Sequence, residues 1–205
     1  MGARGEQLDK IFGSVCARTH CDADRKATLE EVIQLAVEIA REGREGRKIG
    51  TLFVVGDVEA VLERSRPLLL DPLYGHPSDL LHVERPDLRE SVKELAQLDG
   101  AFVVDDDGTF VSAGRYVDVE LGDTMFLPGL GTRHAAAASI SSATGAVAVV
   151  VSQSSVVRVF SGGEVRAEII PELFLMSRQQ LFTRSADIQQ MPEAGITLAV
   201  AGESA

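Results

Sequence analysis

Apolar positions along this chain follow two rhythms. Leu29, Val32, Ile33, Ala36, Ile39 and Ala40 recur at helical spacing, with Glu30, Gln34 and Glu38 between them. That is the stripe of an amphipathic helix. Thr28 and Glu31 are spaced as a capping box that would open it, and Gly43 would end it. A second helix is predicted over Val58–Arg64, and a third opens at Asp87-x-x-Glu90 with Leu88, Val92, Leu95 and Ala96 as its stripe.

The other rhythm is the short unbroken apolar run. Thr51–Val55, the stretch from Leu98 to Val104, and Ala146–Val151 are β-branched-rich and too short for helices. They read as buried strands. Asp105-Asp106-Asp107-Gly108 is a hairpin turn into a return strand, Phe110–Leu121, interrupted at Ala113-Gly114. Ser161-Gly162-Gly163 joins Ser155–Phe160 to Glu164–Ile170 in a second hairpin. Between the second and third helices, Pro67, Pro72, Gly75, Pro77 and Pro86 mark a long loop that contains His76 and His82, to which no role is assigned. The fold class expected is α/β: a single mixed, twisted β-sheet flanked by helices on both faces.

The organisation follows. Residues 1–26 are polar and weakly patterned, an N-terminal arm. Residues 27–184 form one domain, in which Pro171 starts a helix running to about Phe182. Residues 185–205 are a tail, with Ile196–Val200 as a candidate added edge strand.

Chemistry concentrates at Gly129-Leu130-Gly131-Thr132-Arg133-His134, followed by alanines at 135–138. Alanine is the best helix former and threonine a good N-cap. Arg133 and His134 are therefore predicted in the first turn of a helix, where unpaired N–H groups and the positive dipole end favour an anion. An arginine there adds a fork that matches phosphate oxygens. An ordinary capped loop would read the same way. Upstream, Asp99-Gly100-Ala101 puts an acid and a glycine at the mouth of a strand.

Asp99-Gly100-Ala101 and Gly131-Thr132-Arg133-His134-x-Ala136 together resemble the two signature motifs of the diadenylate cyclase family. The likeness runs from Ile49-Gly50-Thr51-Leu52-Phe53-Val54-Val55-Gly56-Asp57 to Val149-Val150-Val151-Ser152. The resemblance implies an enzyme that condenses two ATP molecules into cyclic di-AMP and two pyrophosphates. It implies Asp99 as ligand of a divalent metal, Mn²⁺ or Mg²⁺, with Asp99, Arg133 and His134 catalytic. Gly100, Val117, Thr132, Arg133, His134, Ala135, Ala136 and Ser152 would contact the nucleotide. One copy of each motif and two ATP per reaction imply self-association with active faces opposed. The nearest subgroup is the soluble, stand-alone archaeal type.

Two positions depart from the family pattern. Ala135 stands where many members have a second arginine, and Ser152-Gln153-Ser154 lacks an acidic pair. Arg115 or the basic loop from Arg44 to Lys48, otherwise a solvated turn, could substitute. The departures keep open an alternative, a catalytically weak ATP or cyclic di-AMP binding protein or sensor.

Totals narrow the classes further. The chain has 205 residues and a net charge of −11, which disfavours a general nucleic-acid or anionic-membrane binder. No apolar run approaches the roughly 20 residues of a membrane span, and the start is polar, so a cytoplasmic location is expected. Cys16 and Cys21, flanking His20, lack the further ligands of a metal site and read as free thiols.

Overall fold

Seven strands form one hydrogen-bonded sheet in the order β2-β4-β3-β1-β5-β6-β7. The structure, a computed structural model, describes Val15, residues 22–118 and 131–172, and the backbone of residues 186–191 and 196–201. The strands are β1 (Thr51–Val55), β2 (Ser65–Pro67), β3 (Ala101–Val104), β4 (Phe110–Val117), β5 (Val147–Val151), β6 (Val157–Ser161) and β7 (Glu164–Ile169). Only β1 and β3 run parallel; every other pair in the sheet is antiparallel. The mixed α/β class expected from the sequence is what forms.

Every residue of β1, β3 and β5 is buried, as central strands covered on both faces require. Helices α1 (Ala23–Glu42) and α4 (Thr132–Ala143) both pack on β1, β5 and β6. Side chains alternate across a strand, so Leu52 and Val54 share one face with Ala136, Ala137, Ile140, Val150 and Phe160. Thr51, Phe53 and Val55 take the other face. There Phe53 stacks on Phe102 at 5.1 Å, and Phe110 meets both rings edge-on at 6.3 and 5.9 Å. Fully burying a ring of this kind is worth about 1.5–3 kcal/mol.

Three helix starts differ from the sequence reading. Helix α1 begins at Ala23, capped by the Asp22 carboxylate, which accepts from the Arg25 N–H at 2.9 Å. Thr28 is therefore inside the helix, and its hydroxyl donates to the Asp106 carbonyl at 2.7 Å. The capping-box pattern had competed with a better cap one and a half turns upstream. Helix α3 (Pro86–Leu95) starts with Pro86 in its first turn and no side-chain cap from Arg85, because proline's fixed φ already suits that position. In α4 the cap is Gly131, and Thr132 is the first helical residue.

The proline-rich loop after α2 (Val58–Glu63) also holds more order than its composition suggests. It contains edge strand β2 and a 3₁₀ turn at Ser78–Leu80. Asp71 anchors it to β4 by accepting from the Ser112 hydroxyl at 2.6 Å and the Ala113 N–H at 3.2 Å. The charged loop after α1 is the solvated turn expected over residues 45–48, which are exposed, but Arg44 is not part of that solvated face: it pairs with Glu94 at 2.8 Å and Glu90 at 3.5 Å.

The chain divides into two units, Met1–Pro171 and Glu172–Ala205. In the second, β8 (Ala186–Met191) and β9 (Ile196–Ala201) pair antiparallel in a two-stranded sheet. Cys16, Cys21, Gly129 and Leu130 lie outside the described residues, and of the helix expected from Pro171 to about Phe182 only Pro171 and Glu172 are described, both helical.

Candidate active site

Three strand ends converge at one end of the sheet. Parallel register places Leu52 beside Ala101, so Gly50 and the Asp99-Gly100 pair lead into neighbouring strands. Antiparallel register places Thr51 beside Val151, so Ser152 leaves the sheet at that same end. Helix α4 begins here too. Arg133 Nη2 donates to Asp99 Oδ1 at 2.9 Å, and an ideal Cβ on Gly50 would lie 3.3 Å from Arg133 Nη1 and 3.4 Å from Gln153 Cγ. The acid and the arginine of the two sequence motifs thus share one surface.

Their pairing is open to solvent. The Asp99 side chain is 82% exposed and that of Arg133 33%. Exposed pairs contribute about 0–1 kcal/mol, so an incoming charged ligand can exchange with either partner at little cost.

The helix start presents further donors. The Thr132 and Arg133 N–H groups have no hydrogen-bond partner among the described residues, whereas the His134 N–H turns back to the Gly131 carbonyl at 2.9 Å. Thr132 is exposed and Ala135 half-buried. Ala136 is buried in the apolar cluster beneath the helix, and so is Val117, at 5% exposure.

Gly100 is fixed by its own backbone. Its φ is +112°, and a Cβ there would lie 2.6 Å from the Gly114 carbonyl carbon. Strands β3 and β4 approach too closely at this point for any side chain. Ser152 likewise has local work: its Oγ accepts from the Ser154 N–H at 3.0 Å and meets the Ser154 Oγ at 2.7 Å. It closes the turn between β5 and β6.

His134 is nearly buried and faces the sheet. Its ring meets Phe160 edge-on at 6.2 Å, and its Nε2 lies 3.2 Å from Arg158 Nη1. Burial, and next the Arg158 charge, lower its pKa, with Glu168 opposing. Arg158 is itself paired with Glu168 at 2.5 Å. The sequence reading missed Arg158 because only the β5–β6 register brings it to Val150 and so beneath α4. A polar residue alternating with Val157 and Val159 was the available signal, and it does not say which helix lies above.

Two of the proposed substitutes for the missing second arginine, Arg115 and Arg44, are engaged elsewhere, whereas Arg47 and Lys48 are exposed. Arg115 donates to the Ser65 hydroxyl at 2.8 Å and to the Ser65 and Leu62 carbonyls at 2.7 and 3.2 Å. Arg44 is held by the α3 glutamates described above.

Residues 38–165 match the model of the DAC family, described as DisA bacterial checkpoint controller nucleotide-binding. The chain belongs to that family. A Methanocaldococcus jannaschii protein named diadenylate cyclase is 48% identical over 151 residues, which are 73% of this chain and 48% of that protein. A Haloferax volcanii protein of the same name is 38% identical over 147 residues, 71% of this chain and 54% of that protein. The chain therefore spans about half the length of the curated relatives it matches. A solved structure described as a hypothetical membrane spanning protein from Bacillus cereus has the same fold, with 19% identity and a TM-score of 0.53 over 76% of this chain and 67% of that one. Among the described residues, no helix of this chain is long and apolar enough to cross a membrane.

Proposed function

We propose that this chain is a diadenylate cyclase, a nucleotidyltransferase that condenses two ATP into cyclic di-AMP and two pyrophosphates. The observation that carries the reading is the meeting of Asp99 and Arg133 across 34 residues of sequence at one end of the sheet. Family membership and the two archaeal relatives support it.

Each of the two steps forms a bond between a ribose 3′ oxygen and an α-phosphorus. The bond from that phosphorus to pyrophosphate breaks, and the 3′-hydroxyl proton passes to solvent or a nearby base. Such chemistry needs chiefly positioning and charge stabilisation. Arg133 and the free N–H groups of the α4 start bind phosphate oxygens. Thr132, beside them and exposed, adds a hydroxyl. The backbone around Gly100 borders the nucleoside, with Val117 behind it. Ser152 and the Ala135 backbone complete the rim.

A divalent cation fits Asp99 as one hard oxygen ligand. Among the described residues no group of three or more His, Cys, Asp or Glu could hold a metal alone. The phosphates must then supply much of the coordination, as is usual for Mg²⁺ and similar ions. When bound, Mn²⁺ or Mg²⁺ would offset the charge that grows on the reacting phosphate. Each chain presents one ATP, so the productive species is a pair of chains with these surfaces opposed.

Incubation with ATP and Mn²⁺, followed by chromatography, tests the reading. Cyclic di-AMP made by the native chain and lost in Asp99→Asn is the result expected. Nucleotide binding without product would instead support the sensor reading, which Ala135 in place of a second arginine favours.

A further inference from the structure

We propose that Arg158, braced by Glu168, is a positioning residue that fixes His134 as its Nδ1–H tautomer and so aims a single donor from the α4 start. The role in catalysis rests on the cyclase reading above; the tautomer does not.

The argument begins with what each group can do. A guanidinium is a donor only. With Arg158 Nη1 at 3.2 Å, His134 Nε2 must accept. The proton of the neutral ring then belongs on Nδ1. A ring carrying both protons would set two donors against each other, beside a fixed positive charge. The environment also restrains motion. His134 is 8% exposed, its ring lies against Phe160, and the Arg158 side chain is 16% exposed and tied through Nε to Glu168. Arg158 and Glu168 are register partners on β6 and β7, so the brace is built into the sheet.

The Nδ1 atom has no hydrogen-bond partner among the described residues. His134 follows directly on Arg133, whose guanidinium meets Asp99. A neutral Nδ1–H there is a donor that binds a phosphate oxygen without adding net charge. Arg158 also places a cation behind the helix start, in a chain whose motif has Ala135 where a second arginine is common.

The test is imidazole ¹⁵N–¹H NMR of the full chain without nucleotide, above the histidine titration range. His134→Gln identifies the His134 signals among those of His20, His76 and His82. The expected pattern is a protonated Nδ1 for His134 in the native chain. It should relax toward Nε2–H in Arg158→Met and be retained in Arg158→Lys, which still donates. In the ATP assay Arg158→Met should lose roughly tenfold or more in turnover, the scale of one charged hydrogen bond. Arg158→Lys should recover much of that. Circular dichroism of each variant checks folding; if Arg158→Met does not fold, Glu168→Gln, which loosens the brace, takes its place. An Nε2–H tautomer in the native chain overturns the proposal. So does unchanged turnover in a folded Arg158→Met. A correct tautomer in a native chain that makes no cyclic di-AMP would sink the cyclase reading and leave the tautomer assignment standing.

Discussion

Arg133 reaches Asp99 with a 2.9 Å hydrogen bond, linking the first turn of one helix to the mouth of a central strand. Because Asp99 is largely solvated and Arg133 is one-third exposed, the contact contributes little to stability. Asp99→Asn and Arg133→Ala are each expected to lower cyclic di-AMP formation at least about a hundredfold, the scale of losing one preorganised charge contact. Their unfolding midpoints in urea should stay close to the native value.

Gly100→Ala should fail for the opposite reason. The new methyl would meet Gly114 backbone at 2.6–2.7 Å on a residue with φ of +112°. Both neighbours are main chain and cannot rotate away. A loss of more than about 2 kcal/mol is expected, read from thermal or urea unfolding. Activity would fall with the fold, which separates this variant from Asp99→Asn.

Thr51 carries a hydroxyl that is fully buried and has no hydrogen-bond partner among the described residues. Thr51→Val keeps the shape and removes the orphan group. Stability should be unchanged or higher by about 1 kcal/mol, measured by urea unfolding. Lower stability would mean that the hydroxyl has a partner.

Protonation of His134 should cost stability at low pH. Its folded pKa lies below the ordinary value through burial and then Arg158, against the smaller effect of Glu168. As pH falls from about 6.5, the unfolded chain takes up a proton that the folded chain resists. Stability attributable to this group is therefore full above that pH. It declines toward the folded pKa and levels off below it. Unfolding curves across this window should be flatter for His134→Gln than for the native chain.

The central strands were legible because burial on both faces leaves an unbroken apolar run, and Thr51–Val55 and Val147–Val151 could be little else. Helix starts were less so. Residues 23–28 of α1 lack an apolar stripe because Arg25 and Thr28 are buried in polar contacts with the Asp106 turn, and sequence periodicity is blind to such pairings. The motif from Gly131 to His134 was readable as residue types. Its geometry was not: Asp99 and Arg133 meet only through the β1–β3 register and the seat of α4. Arg158 was hidden for the same reason, since its partner in the motif sits 24 residues away on another layer.

The two outer strands of the sheet differ in how they discourage unwanted neighbours. At one border β2 is three residues long and ends in Pro67, which offers no N–H to a newcomer. At the other, β7 alternates Glu164, Arg166 and Glu168, so a strand seeking to add itself would have to desolvate charges. At these two borders a strand from a second copy therefore has little reason to add itself. Glu168 serves on that border and beneath α4 at once, so a substitution made there to control aggregation would also reach His134 through Arg158.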